Sequence, residues 1–125
     1  MTYIDTSALV PMAVKETGSP QVLSWLAAHA DVGVSISAWT RTELVSAISG
    51  KVRAAVISAD EAVRALAWAR RRLLPRFRFE PLEPADFAAA EALLERFELG
   101  LRAGDALHLA VVRRVGEPLL TLERR

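Results

Sequence analysis

Met1-Thr-Tyr-Ile-Asp-Thr-Ser-Ala-Leu-Val10 is the stretch that decides the fold. Tyr3 and Ile4 make a short, β-prone apolar run that ends at Asp5. Thr6 and Ser7 then offer capping hydroxyls, and a helix-compatible run follows. The pattern reads as a strand delivering a carboxylate to its own carboxyl end, where a helix begins. Open parallel sheets bind their ligands in the crevice beyond those strand ends. Asp5 therefore stands where a ligand is met.

Working outward, a helix is expected from Ser7 to Val14, with Thr6 or Ser7 as N-cap and Pro11 in its first turns. Ser19-Pro20 opens a second helix carrying Val22, Trp25, Leu26 and His29. Val32–Ser37 is β-branched and short, a second strand, and Ala38–Lys51 is a helix with Trp39, Glu43 and Ala47 on one stripe. Ser58-Ala-Asp-Glu61 has the form of a capping box and starts a long helix that stops at Pro75. Phe77–Pro81 alternates as a third strand. A helix follows from Glu83 to Leu99, another from Arg102 to Val115, and a fourth strand over Pro118–Leu122. Strands alternating with helices predict a parallel sheet covered on both faces, with right-handed crossovers.

Length and composition narrow the class. A chain of 125 residues that is 52% hydrophobic and 25% charged suits one compact domain over residues 1–125, not a disordered segment. No apolar run approaches the ~20 residues of a membrane span, and no secretory leader pattern opens the chain. The absence of cysteine excludes disulfides, thiolate metal sites and cysteine nucleophiles, and fits a cytoplasmic setting. A net charge of +1 makes no bulk claim on nucleic acid. Arginines nevertheless crowd 70–78 and 113–125, as solvated helix faces or as a basic rim around an acidic centre.

Four carboxylates leave equivalent ends of the expected sheet: Asp5 after strand one, Glu43 in the second turn after strand two, Asp105 in the first turn of its helix, and Glu123 after strand four. Like charges gathered this closely repel, and a bound divalent cation offsets the repulsion. An all-oxygen set suits Mg²⁺ or Mn²⁺ over Zn²⁺, and carboxylate-held hard metals serve phosphodiester hydrolysis. Thr6, Ser7 and Thr121 flank the acids as hydroxyls that orient them. His108, three residues after Asp105, is expected to hydrogen-bond a neighbouring carboxylate or the backbone instead of ligating metal. Trp39 is core or a wall of the site; Trp25 and Trp68 are core or dimer-contact residues.

Tyr3-Ile-Asp-Thr-Ser-Ala-Leu-Val10, Thr42-Glu-Leu44, Leu101-Arg-Ala-Gly-Asp-Ala-Leu-His-Leu-Ala110 and Leu120-Thr-Leu-Glu-Arg-Arg125 together resemble the PIN-domain family, and within it the VapC ribonuclease toxins of type II toxin–antitoxin systems. The resemblance implies a three-layer α/β/α domain with a central parallel sheet of four or five strands. It implies a metal-dependent endoribonuclease, with Asp5, Glu43 and Asp105 on the family's acidic positions, Asp5 and Asp105 as ligands of Mg²⁺ or Mn²⁺, and RNA as substrate. Homodimers and a cognate antitoxin, laid across the acidic groove, are further implications. The family's final acid is an aspartate in a Thr-x-Asp pattern, whereas Thr121-Leu-Glu123 places a glutamate there. That departure keeps open a catalytically weak or inactive member acting through RNA or protein binding. Phosphotransfer on Asp5 fits less well: position 7 is Ser, and the only lysines, Lys15 and Lys51, come early.

Overall fold

The structure is a computed structural model and describes residues 1–122. Its elements are β1 (Thr2–Ile4), α1 (Thr6–Ala13), α2 (Ser19–Ala28), β2 (Val34–Ser37), α3 (Ala38–Arg53), α4 (Ala59–Trp68), β3 (Arg78–Glu80), α5 (Pro84–Leu94), α6 (Ala103–Val115) and β4 (Leu119–Leu120). The four strands pair in the order β3-β2-β1-β4, all parallel. Successive crossovers run from β1 to β2 and on to β3 at one edge. The last one then carries the chain back past the start to place β4 against the other side of β1. The winding therefore reverses between β1 and β4, the position at which such sheets open a crevice.

Alternation along the strands assigns the faces. Ile4 and Ile36 point to one side and join Leu9, Val22, Leu44, Ile48 and Leu73 in a core beneath α1 to α4. Burying a side chain of this size contributes about 1.5–3 kcal/mol. On the other side α5 and α6 pack together through Ala90, Leu93, Ala106, Leu107 and Ala110. These are mostly small residues, which lets the two helices lie close. The result is the three-layer α/β/α arrangement expected, with four strands among the described residues. No described helix is long and apolar enough to cross a membrane.

Local boundaries differ from the sequence reading in instructive ways. The cap of α1 is Asp5 itself, whose carboxylate accepts the Ser7 N–H, not Thr6 or Ser7. A carboxylate on extended backbone reaches the N2 amide, so the residue ending the strand also starts the helix. α3 carries Gly50 inside its last turn and closes at Ala54, followed by Ala55 at φ 58°. The capping box at Ser58 and Glu61 forms as expected. The helix it opens does not reach Pro75 as a regular α-helix: it widens over Ala69–Leu73, where the Leu74 N–H bonds the Ala69 carbonyl, and tightens over Leu74–Arg76. Pro75 has no N–H to give and its ring crowds the carbonyl four residues back, so the regular ladder fails ahead of it. The helix expected to Leu99 ends at Leu94, and Phe97–Leu99 is a separate tight turn closed by Gly100 at φ +61°.

Candidate active site

β1 is buried throughout its last two residues and presents Tyr3 and, two residues on, Asp5 toward the α6 side of the sheet. Asp5 is only 7% exposed. Its Oδ1 accepts the Ser7 N–H at 3.1 Å and the Ser7 hydroxyl at 2.6 Å. With that proton committed, Ser7 Oγ accepts the Leu122 N–H at 2.9 Å and faces Thr121 Oγ1 at 3.0 Å, which must then donate. The segment after β4 is thereby pinned to the first turn of α1, and the pinning group is the one that orients Asp5.

Asp105 sits at the third position of α6. There its carboxylate accepts the Arg102 N–H at 3.1 Å and complements the positive end of the helix. Asp5 and Asp105 line one cleft of about 260 Å³, with Leu101, His108, Leu109, Leu119 and Thr121 as its other walls. This cleft lies beside β1 and β4, where the winding reverses.

Glu43, in the second turn of α3, is held by two donors on the same oxygen: Thr6 Oγ1 at 2.6 Å and His108 Nε2 at 2.6 Å. Burial alone would raise its pKa, but the hydrogen bonds from His108 and Thr6 outweigh this and hold the carboxyl below its ordinary value. The second imidazole nitrogen of His108 lies 2.7 Å from the Tyr3 hydroxyl, which donates to Ser37 Oγ at 2.8 Å and lies 3.2 Å from Thr40 Oγ1. Burial pushes the Tyr3 phenol up, with the Asp5 and Glu43 charges adding to this against the hydrogen bonds to Ser37 and Thr40. Glu43 is thus fixed from β1, α1, α3 and α6 at once.

Gly104 completes the packing of Glu43. A Cβ at that position would stand 2.5 Å from Glu43 Oε2 and 3.2 Å from Trp39 Nε1. The Trp39 indole N–H is buried with no hydrogen-bond partner among the described residues. The glycine therefore lets α6 come close enough to α3 for His108 to meet Glu43.

Of the residues expected at the site, Asp5 and Asp105 share the cleft, Ser7 and Thr121 attend Asp5, and Thr6 attends Glu43. Glu123 lies outside the described residues. His108 meets a carboxylate, as anticipated, but the partner is Glu43 on α3. The Tyr3–Ser37–Thr40 cluster behind His108 was not anticipated. One signal for it exists in the sequence: Tyr3 has the same strand parity as Asp5, and a buried tyrosine hydroxyl needs a partner.

Among the described residues no three His, Asp or Glu side chains stand close enough together to hold a metal ion. The chemistry of the donors in the cleft nonetheless fits a hard cation. The two carboxylates facing it are oxygen donors, and both nitrogens of the histidine beside them are engaged elsewhere.

The family model for the PIN domain matches residues 2–125. Among solved structures the chain is similar to Mycobacterium tuberculosis VapC20, described as a toxin cleaving the sarcin–ricin loop. The TM-score is 0.75 at 20% identity, over 98% of this chain and 90% of that one. It is also similar to FitAcB from Neisseria gonorrhoeae, with TM-score 0.75 and 20% identity over 98% of this chain and 88% of that one. At such identity these likenesses speak for the fold. No curated protein sequence matches the chain. With the family model spanning nearly every residue, and the sheet order and helical layers agreeing, the chain belongs to the PIN domain family.

Proposed function

We propose that the chain is a divalent-metal-dependent endoribonuclease that acts as the toxin of a type II toxin–antitoxin pair. The observation that carries this reading is the shared cleft: Asp5 and Asp105, from β1 and α6, face one space at the reversal of the sheet, beside a rigidly held Glu43. Family membership and the likeness to a toxin described as cleaving the sarcin–ricin loop support it.

Asp5 and Asp105 would hold Mg²⁺ or Mn²⁺. Such an ion, when bound, polarises a phosphodiester and lowers the pKa of water. The protein's own part is preorganisation. Ser7 and Thr121 keep the Asp5 carboxylate aimed, and Thr6 and His108 keep Glu43 ionised and in place. Glu43 then supplies a fixed negative charge and a proton-accepting oxygen at the edge of the site. A protein that acts this way in the cytoplasm needs a restraining partner. An antitoxin segment that sets a guanidinium among these carboxylates would supply it, on a homodimer of the toxin.

A second reading, a member that binds RNA or protein without cutting, draws on the glutamate at position 123 where the family pattern has an aspartate. RNA incubated with the protein decides between them. Cleavage with Mg²⁺ or Mn²⁺ that stops on chelation supports the nuclease; retained RNA binding with no cleavage under either metal supports the second reading.

A further inference from the structure

At the sheet edge away from the acidic cleft a second surface carries features that the cleft does not use. β3 is the edge of the sheet, and Phe79 on it is 46% exposed although it is paired in register with the buried Ile36. The Arg41 guanidinium, from the first turns of α3, lies 5.7 Å from the centre of that ring. Two adjoining clefts of about 210 and 240 Å³ share Arg41, Arg70 and Leu74, and the second reaches Phe77 and Phe79.

The widened turn at Ala69–Leu73 explains how the arginines arrive. It buries Ala69 and Leu73 and leaves Arg70, Arg71 and Arg72 exposed in succession. Among the described residues Arg41 and Arg70, which share this face, form no ion pair, while Arg71 and Arg72 line a separate cleft with Arg64 and Trp68. Protecting the edge of a sheet needs only a charge or two. It does not call for an apolar floor, a half-exposed aromatic ring and two guanidiniums without an ion pair, Arg41 and Arg70, set together. Planar cations that grip phosphate in two places, beside a ring on which a base can stack, match a single-stranded nucleic acid.

We propose that this face docks a stretch of single-stranded RNA, with a base on Phe79 and phosphates on Arg41 and Arg70. The inference rests on the nuclease reading of the neighbouring cleft and extends it to how substrate is held. β2 alone separates β3 from β1, so the strand bearing Phe79 runs about 10 Å from the one that ends at Asp5. Phe79, in register with Ile36, faces the α1–α4 side of the sheet, and the acidic cleft opens on the α6 side, so RNA held by both passes over the carboxyl ends of β1 and β2.

The test is fluorescence anisotropy with a short, unstructured, labelled single-stranded RNA in chelator, so that binding is read without cleavage. Replacing Phe79 by Ala should weaken binding about 5- to 150-fold, the range for loss of one base–aromatic stack, while Phe79→Tyr binds as wild type does. Arg41→Ala and Arg70→Ala together should flatten the slope of log affinity against log salt by about 1.4, near 0.7 for each lost phosphate contact. Circular dichroism and light scattering accompany each variant. Folded variants that bind with wild-type affinity and slope overturn the proposal. So does a wild type that binds no RNA, or a loss that coincides with a change in oligomeric mass, which would mark the face as a protein contact. Cleavage assayed in parallel separates the two readings: cleavage that is indifferent to these substitutions leaves the nuclease standing and removes the docking face. RNA binding through Phe79 without cleavage by wild type does the reverse.

Discussion

Gly104→Ala sets two effects of opposite sign against each other. In the first turns of an exposed helix, glycine to alanine stabilises by up to about 1 kcal/mol through backbone entropy. At position 104 the new Cβ would stand 2.5 Å from Glu43 Oε2, about 0.9 Å short of the 3.4 Å at which ordinary contact begins. A glutamate tip can usually swing away, but this one is held at 2.6 Å by both Thr6 and His108 through its other oxygen. Moving it by nearly 1 Å loses or stretches two hydrogen bonds to a charged group, each contributing about 1.5–3 kcal/mol. Net destabilisation of about 1–4 kcal/mol is the expectation, read by urea denaturation, and cleavage should fall on the order of 100-fold, since a misplacement of that size is costly. The double variant Gly104→Ala with Glu43→Ala should recover the alanine gain and show a coupling of opposite sign to the clash. A single variant as stable as wild type or more so, with activity intact, would refute the argument that Glu43 is rigidly held.

Other expectations follow from the same contacts. Arg114 caps Asp86, which is 2% exposed, at 2.8 Å; Arg114→Met should destabilise by about 3 kcal/mol by stranding a buried carboxylate, read by thermal melts. Asp86 is buried, which raises its pKa, but Arg114 and the Glu83 N–H bring it below its ordinary value. Its stabilising contribution is therefore present above the ordinary carboxylate range and fades as pH falls through the lower folded value. Glu43 behaves alike: its contribution is full above the ordinary 4.5 and lost below that as the pH drops through the folded value, so Glu43→Gln should flatten the acid limb of the stability curve. Tyr3→Phe removes the hydroxyl 2.7 Å from His108 and 2.8 Å from Ser37; a loss of about 1–3 kcal/mol and slower cleavage with little change in substrate affinity are expected.

Much of this was legible because it is local. A β-prone run meeting Asp5 and a pair of hydroxyls defines strand end and helix start within a few residues. Asp105 in the first turn of an apolar helix is a position fixed by its own neighbours. Sheet composition followed from alternation of strands and helices, although the pairing of β4 beside β1 depends on a long crossover. Three features were hidden for stated reasons. The Glu43–His108 bond spans 65 positions and the Tyr3–His108 bond 105, so the two together exist only once β1, α3 and α6 pack. The capping role fell to Asp5 because it is the last residue on extended backbone, while Thr6 and Ser7 already lie in the first turn of α1. The widened turn over Ala69–Leu73 arises from Pro75 acting backward on a helix whose own propensity is strong.

Whether Asp5 and Asp105 jointly hold a hard cation for phosphodiester hydrolysis is decided by Mn²⁺ calorimetry on wild type, Asp5→Asn and Asp105→Asn, with RNA cleavage measured on the same preparations. Asparagine is as good an N-cap as aspartate, so Asp5→Asn keeps the helix start while removing the charge. The prediction is measurable Mn²⁺ binding by wild type, and loss of both binding and cleavage in each folded variant. Cleavage that persists in both variants, or Mn²⁺ affinity unchanged by either substitution, would contradict it.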